Sequence, residues 1–211
     1  MIPSYLTKAI HEYIPILEGW CLPERACELA DMVMEIKPKT VVSLGVFGAR
    51  VEIAIGFALR QNANGGMVYG IDPWQKEAAI EGESAENRKW WDENIDLDAI
   101  HAGAMRAIWL HRLEPWVTII RARSEHVYQL FNDIGLLYLD ANHTEEASCR
   151  DVANYVPRVM SGGYVIADDA DWAIPGVNGE IINTTKKALE MIEKDCEFVR
   201  QSDNMRVYRK K

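Results

Sequence analysis

The sequence predicts an α/β fold in which a mostly parallel, doubly wound sheet carries helices on both faces and ends in an antiparallel hairpin. Three observations carry this expectation. Short, nearly continuous apolar runs rich in β-branched residues alternate with helical patterns from residue 40 onward. The first run passes through a glycine turn straight into an apolar helical pattern. Residues 196–211 depart from the alternation, with two extended runs flanking Ser202, Asp203 and Asn204, a composition suited to a hairpin turn.

The elements follow in order. Two helical patterns, 4–17 and 23–37, make up an N-terminal part, 1–38, with a turn at Glu18, Gly19 and Trp20 between them. Pro23 suits a first-turn position and Pro38 ends the second helix. Residues 40–46 form the first strand, Phe47, Gly48, Ala49 and Arg50 the turn, and 51–60 the next helix. Asn62, Ala63, Asn64, Gly65 and Gly66 break that helix, and 67–71 form a second strand that finishes at Asp72 and Pro73. Further strands fall at 117–122, 134–140 and 164–168, so the terminal pair brings the expected sheet to seven strands. Segment 75–98 lies outside this grammar; its eight acidic and three basic residues read as an insertion or lid over the sheet edge.

With 211 residues, 48% of them hydrophobic, the chain has the size of one well-cored domain, 1–211. A net charge of -9 repels phosphate backbones and anionic membrane surfaces, which argues against nucleic-acid and membrane partners. No basic segment followed by an apolar core opens the chain, and no apolar stretch approaches membrane-spanning length. Cys21, Cys27, Cys149 and Cys196 lack CxxC spacing, so reduced, mostly buried thiols in a cytoplasmic protein are expected.

In a doubly wound sheet, ligands bind outside the carboxyl ends of the strands where strand order reverses. That rule selects Gly45, Val46, Phe47 and Gly48 after the first strand and Asp72 after the second. Glycines let a ligand approach the backbone, and Asp72 could accept two hydrogen bonds from ribose hydroxyls; a ligand-free tight turn and a capping aspartate are the alternatives. The fourth and fifth strands end at Asp140 with His143, and at Asp168 with Asp169. Carboxylates crowded at neighbouring tips favour a hard divalent cation such as Mg²⁺, while caps on following helices and turns explain the same residues without one. His143, near a helix start, would be held neutral and available as a base, or be an ordinary first-turn residue. Trp20, Trp74 and Trp172 fall at ligand-side turns and could wall a pocket; Trp109 and Trp116 read as packing residues, and Arg121 and Arg123 as solvated charge.

These segments, in this order, resemble class I S-adenosylmethionine-dependent methyltransferases, and among them the small bacterial O-methyltransferase-like branch that includes sugar and macrolide enzymes. The carriers are Val41 to Gly45 with Gly48, Ala49 and Arg50; Val68 to Trp74; Leu137 to His143; and Gly162 to Trp172. The resemblance implies a Rossmann-like fold and S-adenosylmethionine as cofactor, its methionine part over Gly45, Val46, Phe47 and Gly48 and its ribose on Asp72, with Pro73 and Trp74 beside it. It implies Ser124 near the adenine, and Asp140, Asp168 and Asp169 around a divalent ion. His143 would be the base that deprotonates a hydroxyl of a small-molecule acceptor, with Asp140 in the catalytic set. The chain departs from the family at Ser43, where an acidic residue is usual, and at Ala49 and Ala141, where glycines are usual. A catalytically silent binding or scaffold protein of the same fold is the alternative function. An NAD-dependent dehydrogenase ranks below it, because GxGxxG anchored at Gly45 would need glycine at Phe47 and Arg50. The oligomeric state stays open between monomer and homo-oligomer.

Overall fold

A computed structural model describes residues 2–175 and 180–211. In chain order it contains α1 (Ser4–Tyr13), α2 (Pro23–Ile36), β1 (Thr40–Leu44), α3 (Arg50–Asn62) and β2 (Met67–Asp72). There follow α4 (Lys76–Ala79), α5 (Ala85–Asn94), α6 (Leu97–Leu110), β3 (Val117–Arg121), α7 (Ser124–Val127), β4 (Ile134–Leu139), α8 (Glu145–Tyr155) and β5 (Val159–Ala167). The chain closes with β6 (Ala173–Pro175), β7 (Ile181–Asn183), α9 (Lys186–Asp195), β8 (Cys196–Ser202) and β9 (Met205–Lys210).

Seven strands form one sheet in the order β3-β2-β1-β4-β5-β9-β8. The first five are parallel, and β9 runs antiparallel to both β5 and β8. Strands β1, β2 and β3 step outward in one direction before the chain returns to lay β4 beside β1. The resulting crevice opens at the carboxyl ends of β1 and β4, where the sequence placed its candidates.

Two-residue periodicity divides the sheet between two cores. Val41, Leu136, Tyr138 and Ile166 pack with α1, α2, α3 and α6, while Val42, Leu44, Leu137 and Val165 pack with α8 and α9. Ser43 and Glu52 are fully buried polar residues against this apolar background.

Three details differ from the sequence reading. The first helix ends at Tyr13 and tightens into a 3₁₀ turn, Ile14–Ile16, that contains Pro15, so the expected span 4–17 is broken. A second sheet, the antiparallel pair β6 and β7, lies in a stretch to which the sequence reading assigned no element; its strands are three residues each and one contains Pro175, which erases the period-2 signal. Trp109 is 65% exposed on α6, not packed inside, whereas Trp116 does pack against the first core. All four thiols are free, but only Cys196 is fully buried. No helix among the described residues is long and apolar enough to cross a membrane.

Candidate functional site

The turn after β1 is built by close approach. Gly45 has φ +82° and its amide donates to the Ile71 carbonyl at 3.0 Å; a Cβ there would stand 2.0 Å from the Asp140 carbonyl oxygen. Only glycine allows β1 and β4 to meet so closely at their ends. At Gly48 a Cβ would lie 2.1 Å from the Glu18 carbonyl oxygen, so the N-terminal segment passes directly over the turn. Arg50 fastens that segment, its guanidinium donating to the carbonyls of Leu17 and Cys21. Ala49, the residue before α3, takes the left-handed conformation at φ 64°, where the family's usual glycine would be relaxed.

Asp72 holds this turn from β2. Its Oδ2 accepts from the amides of Val46 at 2.9 Å and Phe47 at 3.0 Å, and its Oδ1 accepts from Trp74 at 2.8 Å. A carboxylate offers about four acceptor positions, so one remains for a ligand rather than the two that the sequence reading allowed. The Trp74 indole is buried and donates to the Phe47 carbonyl at 3.0 Å, and Arg121 reaches the carbonyls of Pro73 and Trp74. Trp74 thus braces the turn. Arg121 also pairs with Asp98 and Arg123 with Glu81, so neither is merely solvated charge.

The acidic cluster divides in a way the spacing did not indicate. Asp168 is nearly buried, and its oxygens are engaged by the Arg25 guanidinium from α2 and the Tyr138 hydroxyl from β4, with the Asp169 amide also donating to it at 3.0 Å. Its carboxylate is therefore paired with protein groups. Asp140, His143 and Asp169 come together instead, with one ligand atom from each lying within 4.8 Å of the others. Burial first, then the negative charges of its neighbours, raises Asp140 well above the usual carboxylate range; burial likewise raises Asp169, against the pull of His143. Asn204, from the hairpin turn, donates to Asp169 and receives Arg25, so α2 and the C-terminal hairpin meet behind the site.

His143 precedes α8 rather than lying in its first turn, because Thr144 is the cap, accepting from the Ala147 amide at 3.3 Å. The imidazole stacks on Trp172 with ring centroids 5.1 Å apart. Its Nε2 lies 3.7 Å from both Asp140 Oδ1 and Asp169 Oδ2 and has no hydrogen-bond partner. Burial lowers its pKa and outweighs the upward pull of Asp169, Asp168 and Glu83, which leaves a neutral ring beside two carboxyl groups.

Ser124 opens α7, and its hydroxyl donates to Asp151 Oδ1 at 2.5 Å. Burial raises the Asp151 carboxyl to about 6. Segment 75–98 folds as α4 and α5 and is moored to the site: Asn142 donates to the Glu81 carbonyl at 2.9 Å, and a Cβ at Gly82 would meet the Thr144 methyl at 2.2 Å. Trp91 from α5 meets Phe47 edge-on, and Trp20 stacks on Phe47 at 4.8 Å. Between Trp74, Trp91 and the start of α6 lies an open cleft of about 320 Å³.

Sequence reasoning missed Arg25, Tyr138, Asn204, Asp151 and Glu52. Each acts from an element whose local pattern is fully explained as core, helix or turn, and only the tertiary approach, up to 179 residues apart for Arg25 and Asn204, reveals it.

A sequence model of a family described as "Methyltransferase domain" matches residues 42–170, from β1 through the acidic pair after β5. The chain belongs to this methyltransferase family. No curated protein matches the chain. Among solved structures, it is similar to the O-methyltransferase TomG from Streptomyces achromogenes, involved in tomaymycin synthesis and in complex with SAM, at 14% identity and a TM-score of 0.63, covering 100% of this chain and 91% of that one. An O-methyltransferase from Bacillus cereus in complex with SAH gives 12% identity and a TM-score of 0.62, covering 100% and 93%. The SAH-bound methyltransferase PaMTH1 from Podospora anserina gives 12% and 0.63, covering 100% and 89%. These likenesses establish the fold, and the family match establishes the methyltransferase class that the residues resembled.

Proposed function

We propose that this methyltransferase transfers the methyl group of S-adenosylmethionine to a hydroxyl of a small molecule, with His143 as the base. The observation that carries the reading is His143 Nε2, unpartnered and 3.7 Å from two carboxyl groups at the mouth of the glycine turn. The residues fit the cofactor: Gly45 and Gly48 let the turn Gly45 to Gly48 pack against the backbone of Asp140 and Glu18 at the carboxyl end of β1, Asp72 keeps one acceptor position for a ribose hydroxyl, and Ser124 beside Asp151 offers polar groups for an adenine. When bound, the cofactor supplies a methyl on a positively charged sulfur. His143 Nε2 would take the proton of an acceptor hydroxyl placed beside it, which makes the oxygen nucleophilic toward that methyl. Burial keeps the imidazole neutral beforehand, and the negative charges of Asp169 and Asp168 favour the imidazolium afterwards. Segment 75–98 and Trp172 would bound the acceptor side.

A second reading adds a divalent ion, Mg²⁺ in the first instance, and the close approach of Asp140, Asp169 and His143 favours it. Such an ion would lower the pKa of a coordinated hydroxyl. Asp168 has no place in that set because Arg25 and Tyr138 hold its oxygens. The imidazole in the donor set also suits Mn²⁺.

The test is methyl transfer from labelled S-adenosylmethionine to a panel of phenols, sugars and hydroxylated natural products, read by mass spectrometry with and without a chelator. Transfer to oxygen that survives chelation supports His143 alone, and transfer abolished by chelation and restored by Mg²⁺ or Mn²⁺ supports the ion. Cofactor binding without any transfer across the panel would favour the silent scaffold.

A further inference from the structure

Beneath the glycine turn lies a carboxyl group that the proposed chemistry does not use. Glu52, in the first turn of α3, is completely buried, and neither of its oxygens has a hydrogen-bond partner. Ser43 on β1 is equally buried beside it, its hydroxyl close enough to favour the ionised carboxyl but not aligned as a hydrogen bond. Room for the Glu52 side chain comes from β2, where a Cβ at Gly70 would stand 3.0 Å from Glu52 Cγ. An isolated buried carboxyl is costly unless something compensates it, and its persistence at a ligand cradle points to a compensating ligand. The ionisable groups whose charges reach it are Asp72, Asp140 and the Cys21 thiol, none of them cationic. No protein cation faces the carboxyl, so a bound one could take the place of its proton.

We propose that Glu52 is the counter-charge for the α-ammonium of the cofactor's methionine part, a positioning residue reaching from α3 into the place left by the short side chain of Ser43. The proposal rests on the cofactor reading above. Burial raises the carboxyl to about 8, so near pH 7 it holds a proton when the site is empty. An ammonium arriving beside it would drive that proton to the buffer and leave a charge-assisted hydrogen bond.

Calorimetry of the full chain with S-adenosylmethionine, S-adenosylhomocysteine and 5′-methylthioadenosine, which lacks the amino-acid end, tests this. Glu52→Gln should weaken the first two by about tenfold or more and leave the third within about twofold. In the wild-type protein at pH 7, comparison of buffers with different ionisation enthalpies should show proton release with S-adenosylhomocysteine and none with 5′-methylthioadenosine. This second measurement decides the question if the variant fails to fold. Equal losses for all three ligands, no loss, or identical proton release would overturn the role of Glu52. A wild-type protein that binds none of the three would overturn the cofactor reading itself, and the role of Glu52 with it.

Discussion

In the proposed reaction His143 is the base. Replacement by alanine removes the base while leaving the cradle intact, so turnover should fall by about 10² to 10⁴ with cofactor affinity nearly unchanged. Because burial lowers the imidazole below its usual 6.5, the rate should hold down to slightly acidic pH and fall only as the ring gains its proton. A pH-rate profile with its acidic limb above 6.5 would contradict this. Asp72 has two tasks, since it anchors three amides as well as offering an acceptor position. Asp72→Ala should therefore lower both S-adenosylhomocysteine affinity, by about 1.5 to 3 kcal/mol, and the melting temperature; a loss of either alone would separate the tasks. Glu52 carries a stability consequence independent of any ligand. Its folded pKa of about 8 lies above the 4.5 of an ordinary glutamate, so the folded chain binds the extra proton and its stability declines as pH rises from 4.5 to 8. Glu52→Gln should flatten that decline and raise the melting temperature more at pH 8 than at pH 5.

Among the elements, α2 does more than cover the sheet. Arg25 crosses to Asp168 and Asn204 and thereby joins α2, the end of β5 and the β8-β9 turn. Arg25→Ala would strand a nearly buried carboxylate, and a loss of about 3 kcal/mol is expected in denaturant titration; a change under about 0.5 kcal/mol would mean that Tyr138 alone suffices. The segment 75–98 is held to the site loop through Asn142 and Gly82 while its α5 has no buried residue. Its amides should exchange faster than those of β1 and β4, and exchange as slow as in the central strands would rule out an opening lid. The five parallel strands were legible as short, mostly apolar runs and β8 and β9 through the turn between them, whereas β6 and β7, three exposed or half-exposed residues each, announce themselves only by pairing.

At the scale of the whole molecule, the sequence reading reached the sheet, its two helical layers and the carboxyl edge, because hydrophobic periodicity and glycine turns encode them locally. Gly45, Asp72, Asp140 and His143 were legible for the same reason, as residues at strand ends. Asp168 could not be separated from Asp169 by spacing, since the difference between them is which one meets Arg25, and Arg25 lies 143 residues earlier. Glu52 was hidden more deeply, being a helix residue whose burial depends on Gly70 of a neighbouring strand. In the proposed reading these residues would share one ligand, bound across the point where strand order reverses. The most direct measurement is a crystal structure of the protein grown with S-adenosylhomocysteine. Its ribose should lie within hydrogen-bond distance of Asp72 and its amino-acid end over Gly45 to Gly48, with sulfur facing His143; a ligand bound elsewhere, or a site that remains empty at saturating concentration, would refute the proposed function.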